Sequence, residues 1–181
     1  MLQPLKRSWD WLSSRLEASL RPSCLRVMEV QDAAPYAGAL FARVFKHPIP
    51  DFPRHFVLVF QPPGEETRTL GYVHHMAFES GYLAGGLVVD GNEFRKLTKQ
   101  TQDELMKRGG MAQWVMAESC QRLQPCDAFY AYIGDDKSRD VNVRIGYRLV
   151  HAPYLYVFPS KKVSEERLAA LTAKVVALGP F

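Results

Sequence analysis

The chain has 181 residues, of which 47% are hydrophobic, and its formal net charge is +4. A chain of this size and composition can bury a core and is most simply one folded domain. Its cations are scattered among acids, so the charge gives no argument for a nucleic-acid partner. We find neither a run of the roughly 18 to 20 apolar residues that a membrane span needs nor an apolar signal segment. We therefore expect a cytoplasmic protein.

The first residues predict an amphipathic helix over 1–22. Leu5, Trp9, Leu12 and Leu16 recur at helical spacing and so share one face. Such a stripe packs on its own domain or on a partner subunit, and a tryptophan beside cations also fits a membrane surface. A homodimer and membrane-surface contact through residues 5–20 therefore both stay open.

The middle of the chain alternates strand and helix patterns. Strands are predicted at 25–30, 54–60, 69–78, 82–90, 128–133 and 147–158, with helices after Asp32 and over 93–108, 112–123 and 138–145. A last helix begins near Ser164. This order predicts an α/β domain with a mixed sheet, spanning 23–160, with 161–181 as a C-terminal helix packed on it.

Two adjacent histidines lie in the third predicted strand. Side chains alternate along a strand, so His74 and His75 point to opposite faces and cannot easily bind one metal ion together. With no third ligand at metal-site spacing, we expect no metal. Each histidine then reads as a packed or hydrogen-bonded strand residue, or as a base.

A pair of glycines follows the charged segment. Gly109 and Gly110 come directly after Lys107 and Arg108 and before a helix-like pattern. Glycine commonly ends a helix, so the pair is explained as a joint between two helices. It also lets backbone N–H groups approach a ligand, and the first turn of a helix favours anions, which predicts a phosphate cradle. Both interpretations stay open on these residues alone.

The chain resembles the GCN5-related N-acetyltransferase (GNAT) superfamily over about Leu25 to Phe158. The resemblance rests on the strand Leu87–Val89, on the run Lys107 to Ala112, and on Arg139 to Tyr147 with its ending Arg-Ile-Gly-Tyr. The run Lys107 to Ala112 is similar to the family's pyrophosphate-binding pattern, with Lys107, Gly110 and Ala112 in its first, glycine and small positions. The fold that the resemblance implies is a GNAT-like mixed, mostly antiparallel sheet flanked by helices, here with extra N-terminal and C-terminal helices.

The resemblance implies acetyl-CoA or another acyl-CoA as co-substrate. Backbone amides of the glycine run would hold the pyrophosphate, and the preceding strand would offer main-chain groups to the pantetheine arm, with a bulge at Gly85-Gly86. The residues expected to bind the coenzyme are Leu87, Val88, Val89, Lys107, Arg108, Gly109, Gly110, Met111 and Ala112.

Candidates for proton transfer are less defined. Four residues before Gly146, where many members carry a tyrosine acid, this chain has Asn142, which is no acid at neutral pH. The candidate bases are Asp90, Glu79 and His75, and the acid role is vacant or taken by Tyr130, Tyr132 or Tyr147; of these we select Asp90, His75 and Tyr130. Between Asp90 and the glycine pair lies an insertion, which could form an extra helix over the acceptor site.

The resemblance implies a transferase that moves an acyl group directly from acyl-CoA to an amine. The expected acceptor is a small molecule or amino acid, with no nucleic acid. Two alternatives remain: a non-catalytic module that binds coenzyme A or a protein, suggested by Asn142, and a longer-chain acyltransferase near a membrane, suggested by Trp9 and Trp11.

Overall fold

A computed structural model describes residues 24–51 and 54–181. The helix expected over 1–22 lies outside these ranges. None of the helices within them combines the length and the apolar character needed to cross a bilayer.

The described residues form seven strands and six helices. The strands are β1 (Leu25–Val30), β2 (Arg54–Phe60), β3 (Arg68–Phe78), β4 (Gly81–Val89), β5 (Ala128–Tyr132), β6 (Arg148–Leu149) and β7 (Leu155–Pro159). The helices are α1 (Ala34–Phe45), α2 (Gly91–Arg95), α3 (Lys99–Lys107), α4 (Met111–Arg122), α5 (Asp136–Ile145) and α6 (Glu165–Leu178).

All seven strands belong to one sheet, in the order β1-β2-β3-β4-β5-β7-β6. Neighbours are antiparallel except β4 and β5, which are parallel. A parallel pair needs a long crossover, and here α2, α3 and α4 supply it. The predicted mixed, mostly antiparallel sheet with flanking helices is confirmed.

Helices cover both faces of this sheet. On one face, which we call the α4 face, Val115 of α4 packs in a core with Phe129 of β5. On the opposite face, the α1 face, Phe41 of α1 packs with Tyr72 of β3, and Leu168 of α6 packs farther along with Leu155 of β7. The face that a strand residue occupies therefore decides which helix it meets.

The insertion after β4 forms two helices instead of the single helix predicted over 93–108. The chain breaks at 96–98, where the Thr98 hydroxyl accepts a hydrogen bond from the N–H of Thr101 and so caps α3. Leu97 and Leu105 are buried in the core of the α4 face. The insertion thus packs on the domain, and none of its described residues lines the cleft described below.

Candidate active site

Strand β4 carries a bulge at its two glycines. Tyr72 of β3 pairs with Val88 of β4, and His74 pairs with Gly85. Two residues of β4, Gly86 and Leu87, therefore stand opposite one residue of β3, Val73. Gly86 has a φ of 63°, a conformation that side chains disfavour. The bulge therefore forms where the sequence predicted it.

Beyond the bulge, β4 and β5 separate. The two strands pair only through Tyr82, Leu83 and Ala84 of β4, although β4 continues to Val89. A cleft of about 520 Å³ occupies the gap. Its walls include Leu87 from β4 and Ile133 just after β5, with Met116 from α4.

The cleft reaches both faces of the sheet. Val44 and Phe45 of α1 line it on one side, whereas Met116 of α4 and Asn142 of α5 line it on the other. Two ligands could therefore enter from opposite faces and meet between β4 and β5. The expected coenzyme-binding residues Leu87, Val88 and Val89 all line this cleft.

The glycine pair ends one helix and begins the next. The N–H of Gly110 donates to the carbonyl of Leu105 and that of Gly109 to Met106, which closes the last turn of α3. Gly110, at φ 89° and ψ 172°, is then the N-cap of α4. This backbone region is essentially restricted to glycine. The interpretation of the glycine pair as a joint between two helices is thus confirmed.

The same joint leaves α4 open at its N-terminus. Within 24–51 and 54–181, no acceptor is placed against the N–H groups of Met111, Ala112 or Gln113, and no side chain caps the helix. A Cβ added at Gly110 would meet nothing within 4 Å, whereas one added at Gly109 would fall 2.4 Å from the Gln113 side chain, which lies at this end of α4. Three orphan donors at the positive end of a helix dipole suit an anion such as a pyrophosphate.

Of the two cations before the glycines, Arg108 already contacts neighbouring side chains. The guanidinium carbon of Arg108 lies 4.2 Å from the ring centroid of Trp114, and its Nη2 lies 3.7 Å from a carboxylate oxygen of Glu104. Lys107 is exposed at the end of α3. Their coenzyme role stays a prediction.

The chain combines antiparallel strands with a bulged β4 and with a parallel partner, β5, that separates from β4. Between these two strands in sequence lies the open N-terminus of α4. The chain has a GNAT-like fold.

No protein-family model and no curated protein matches the sequence. Among solved structures, the chain is similar to the KacTA–DNA complex, at 15% identity and a TM-score of 0.46 over 84% of this chain and 99% of that one. It is similar to FdhC, a nucleotide-linked sugar GNAT, at 10% identity and a TM-score of 0.46 over 87% and 94%. It is also similar to AtaT complexed with acetyl-methionyl-tRNAfMet, at 15% identity and a TM-score of 0.42 over 76% and 95%.

These findings correct one expectation. We expected a small-molecule partner and no nucleic acid, but two of the three structures named above contain DNA or tRNA. The restriction to small molecules is therefore withdrawn, and the acceptor is treated below only as an amine.

Asn142, which the sequence resemblance set at the position of a tyrosine acid, lines the cleft. Its side chain is 2% exposed, and its Nδ2 donates to the carbonyl of Ser138 at 2.8 Å. This bond orients the amide, because the reverse orientation would set oxygen against oxygen. Its Oδ1 has no partner among the described residues. A buried acceptor without a donor is costly, so it suits an N–H group of a bound ligand.

His75, a predicted base, lies away from the cleft. It is fully buried on the α4 face, among the rings of Phe56, Tyr82 and Phe129. The Ser119 hydroxyl donates to the carbonyl of Met116, so His75 must donate its Nε2–H to Ser119 Oγ at 2.7 Å. Its role here is therefore packing and hydrogen bonding, and we do not carry it into the proposed mechanism.

The burial of His75 makes stability depend on pH. Desolvation, followed by the charges of His74 and Arg54, lowers the pKa of His75 to about 3 from an ordinary 6.5. Below pH 6.5 the unfolded chain binds a proton that the folded chain rejects, so stability is complete above that pH and falls as pH decreases toward 3. We expect His75 to contribute a loss of about 1.4 kcal/mol per pH unit within this window.

Denaturant unfolding at several pH values would measure this contribution. His75→Gln keeps an N–H donor for Ser119 but has no titrating proton. The slope of its free energy of unfolding against pH should therefore be smaller in acid, by the amount that one bound proton causes. Equal slopes for the variant and the native protein would contradict the assignment.

Asp90, the other predicted base, is a helix cap. Its carboxylate accepts hydrogen bonds from the N–H groups of Asn92 and Glu93 and from Arg43, whose Nη2 lies 2.9 Å from Oδ2. Burial raises the pKa of Asp90, but these donors outweigh burial and hold the pKa below its ordinary value. An ionised carboxylate with its oxygens already occupied is a poor proton acceptor, and Asp90 does not line the cleft.

Tyr130, the predicted acid, ties β5 to α6. The Thr172 hydroxyl donates to the carbonyl of Leu168, so Tyr130 donates to Thr172 Oγ1 at 2.8 Å. Burial is the main cause that raises the pKa of Tyr130. The side chain is 1% exposed and does not line the cleft. None of the three predicted proton-transfer residues, Asp90, His75 and Tyr130, therefore lines the cleft.

His74, which the sequence analysis considered together with His75, lies behind two cleft residues but does not itself line the cleft. His74, on the α1 face, packs directly against the bulge: Cβ atoms added at Gly85 and Gly86 would fall 2.7 Å from its Nε2 and 2.6 Å from its Cε1. The signal was present, because strand alternation already set His74 and His75 on opposite faces. Alternation alone does not tell which helix covers each face.

Proposed function

We propose that this protein is an acyl-CoA-dependent N-acyltransferase that transfers the acyl group directly to an amine. The observation that supports this most is the combination of a cleft between separating strands with an uncapped helix N-terminus beside it. Met111 begins α4 and Met116 lines the cleft, so the two features lie about 7.5 Å apart along one helix.

The amides of Met111, Ala112 and Gln113 would hold the coenzyme pyrophosphate. They supply three donors and the positive end of the α4 dipole. Gly110 keeps the approach open because it has no side chain. The residues present thus fit the coenzyme at its most strongly charged part.

The cleft would hold the thioester end. Bound acyl-CoA supplies a thioester, which is activated toward an amine and releases a thiol. Gly86 and Leu87 form the bulge and have no paired residue on β3 or β5, and their peptide groups would polarise the thioester carbonyl. The Asn142 amide would accept a hydrogen bond from a ligand N–H and so orient the reacting groups.

Asn142 also favours a second candidate function. A carboxamide is not an acid at neutral pH, so Asn142 cannot give a proton to a leaving thiolate. A module that binds the coenzyme without turnover is therefore the alternative. It shares the binding prediction and differs only in chemistry.

Thermal unfolding with acetyl-CoA, free coenzyme A and a long-chain acyl-CoA tests the binding step. At a ligand concentration 100 times Kd we expect the folded state to gain about 2.7 kcal/mol. Melting temperatures that no acyl-CoA or coenzyme A changes would refute both candidates.

Transfer is tested by thiol release with a panel of amines that covers small amines, peptide N-termini and aminoacyl-tRNA. Release that depends on one of them supports the acyltransferase. Binding with no release across the whole panel supports the non-catalytic module. The long-chain donor separates acetyl transfer from longer-chain transfer.

A further inference from the structure

Asp135 is the one charged side chain among the described residues that line the cleft. The rest of the lining is apolar or uncharged and contains no lysine, arginine or histidine. Asp135 is exposed and follows the end of β5, so it lies at the mouth of the cleft. A ligand that enters there meets a single negative charge in largely apolar surroundings.

Within 24–51 and 54–181, the carboxylate of Asp135 forms no ion pair, whereas its neighbours Asp136 and Asp140 both pair with Arg139. Asp135 instead caps α5, because its Oδ1 accepts a hydrogen bond from the N–H of Ser138 at 3.0 Å. Hydrogen bonds from Ser138 lower the pKa of Asp135, so the group is ionised at neutral pH. A carboxylate can accept about four hydrogen bonds, which leaves capacity for a ligand.

Other groups in the lining favour the same kind of ligand. The rings of Phe45 and Tyr132 line the cleft, and aromatic rings attract cations. The buried Oδ1 of Asn142 has no donor among the described residues, so it suits an N–H group of a ligand. The cleft thus presents a carboxylate, two aromatic rings and an acceptor oxygen, and its described lining includes no cation.

The position of Asp135 along the strands sets the distance of its charge from the reacting centre. Ala84 of β4 pairs with Ala131 of the parallel strand β5. The bulge residues Gly86 and Leu87 follow Ala84 by two and three residues, whereas Asp135 follows Ala131 by four. At about 3.3 Å per residue, Asp135 lies roughly 3 to 7 Å farther toward the mouth than the bulge. A short alkyl diamine spans that distance.

We propose that Asp135 selects acceptors that carry a second positive charge a short distance from the reacting amine. This inference rests on the proposed acyltransferase function and names the chemistry of its acceptor, which is a diamine, either free or as a lysine-containing segment of a protein. Asp135 binds the second ammonium group at the mouth and so places the reacting amine between β4 and β5. It takes no part in making or breaking bonds and is a specificity-determining residue.

The test uses three amines that differ only at the end remote from the reacting nitrogen. Putrescine, pentylamine and δ-aminovalerate share a primary amine on a tetramethylene chain, which ends in an ammonium, a methyl and a carboxylate group, respectively. Thiol release from acetyl-CoA gives kcat/KM for each. After correction for the two equivalent amines of putrescine, the native protein should prefer putrescine to pentylamine by about fivefold. With δ-aminovalerate it should be slower than with either.

Asp135→Asn removes the charge and keeps the cap, because asparagine and aspartate cap helices about equally well. We expect kcat/KM to fall about fivefold with putrescine, mainly through KM, to stay within about twofold with pentylamine, and to rise with δ-aminovalerate. Asp136→Asn is the matched control, because it removes an equal charge from the next residue, which does not line the cleft. It should keep the native ranking of the three amines.

Equal changes for all three amines in Asp135→Asn, or the same changes in Asp136→Asn, would overturn the assignment. A native protein that ranks the three amines alike would overturn it too. Asp135→Ser also keeps a capping side chain, so it repeats the test of charge if Asp135→Asn folds poorly.

Two peptides with lysine or norleucine beside the N-terminal amine identify the source of the second charge. A higher kcat/KM for the lysine peptide than for putrescine indicates a protein segment, and the reverse indicates a free diamine. Equal rates for the two peptides, together with equal rates for putrescine and pentylamine, would contradict the proposed selection.

The thermal shift with acetyl-CoA keeps the two proposals apart, and Asp135→Asn should retain the native shift. If Asp135 does not select the acceptor, the shift and the thiol release remain and only the preference for a second cation is missing. If the acyltransferase itself is wrong, the native protein shows no shift or releases no thiol with any amine, and this inference fails with it.

Discussion

Gly110→Glu is expected to abolish acyl-CoA binding. The substitution places a carboxylate in the open space before the orphan N–H groups of Met111, Ala112 and Gln113, where it would occupy the donors and repel a pyrophosphate. Thermal unfolding with and without saturating acetyl-CoA measures the effect. The native protein should gain about 2.7 kcal/mol at 100 times Kd and the variant nothing.

Backbone strain must be separated from this charge effect. Gly110 has a φ of 89° and a ψ of 172°, so any side chain costs roughly 1–3 kcal/mol of stability. Gly110→Ala carries the same strain without the carboxylate and should keep most of the acetyl-CoA shift. An undiminished shift in Gly110→Glu would show that the glycine pair serves only as a joint between α3 and α4.

Gly86→Ala is expected to have the largest effect on stability. Its new Cβ would lie 2.6 Å from both His74 Cε1 and Phe41 Cε2, and its φ of 63° is unfavourable for alanine. Strain of about 1–2 kcal/mol adds to overpacking of about 1–3 kcal/mol. We therefore expect a loss of about 3 kcal/mol in the free energy of unfolding, measured by urea denaturation.

Gly64→Ala supplies the control, because Gly64 has a φ of 77° and nothing within 4 Å of an added Cβ. It should lose only the conformational part, about 1 kcal/mol. If the two variants lose the same stability, His74 and Phe41 move aside freely and the packing of the bulge is looser than the structure shows.

Patterns local in sequence predicted the fold well. Strand and helix periodicities located the sheet, and Gly85-Gly86 indicated the bulge, because a glycine pair inside a strand marks local irregularity. The joint at Gly109-Gly110 was readable for the same reason. These features depend on the backbone conformation of a few neighbouring residues, which the residue types themselves report.

The proton-transfer residues could not be predicted in this way. The surroundings of His74 and His75 depend on which helix covers each face of the sheet, and that is decided by elements distant in sequence. Asp90 gave a local signal that was missed: an acid three residues before Glu93 is typical of a helix cap. The buried partner of Tyr130, Thr172, lies on α6 and nothing near Tyr130 in sequence points to it.

The cleft takes its walls from elements on opposite faces of the sheet, α1 on one and α4 with α5 on the other. If the protein is the proposed acyltransferase, with the acceptor entering from the α1 side, changes in α1 would reshape the acceptor end while the amides at the start of α4 stay where they are. Acceptor choice and coenzyme binding would then be separable traits. A scaffold divided in this way can acquire a new acceptor without rebuilding the half that binds the donor.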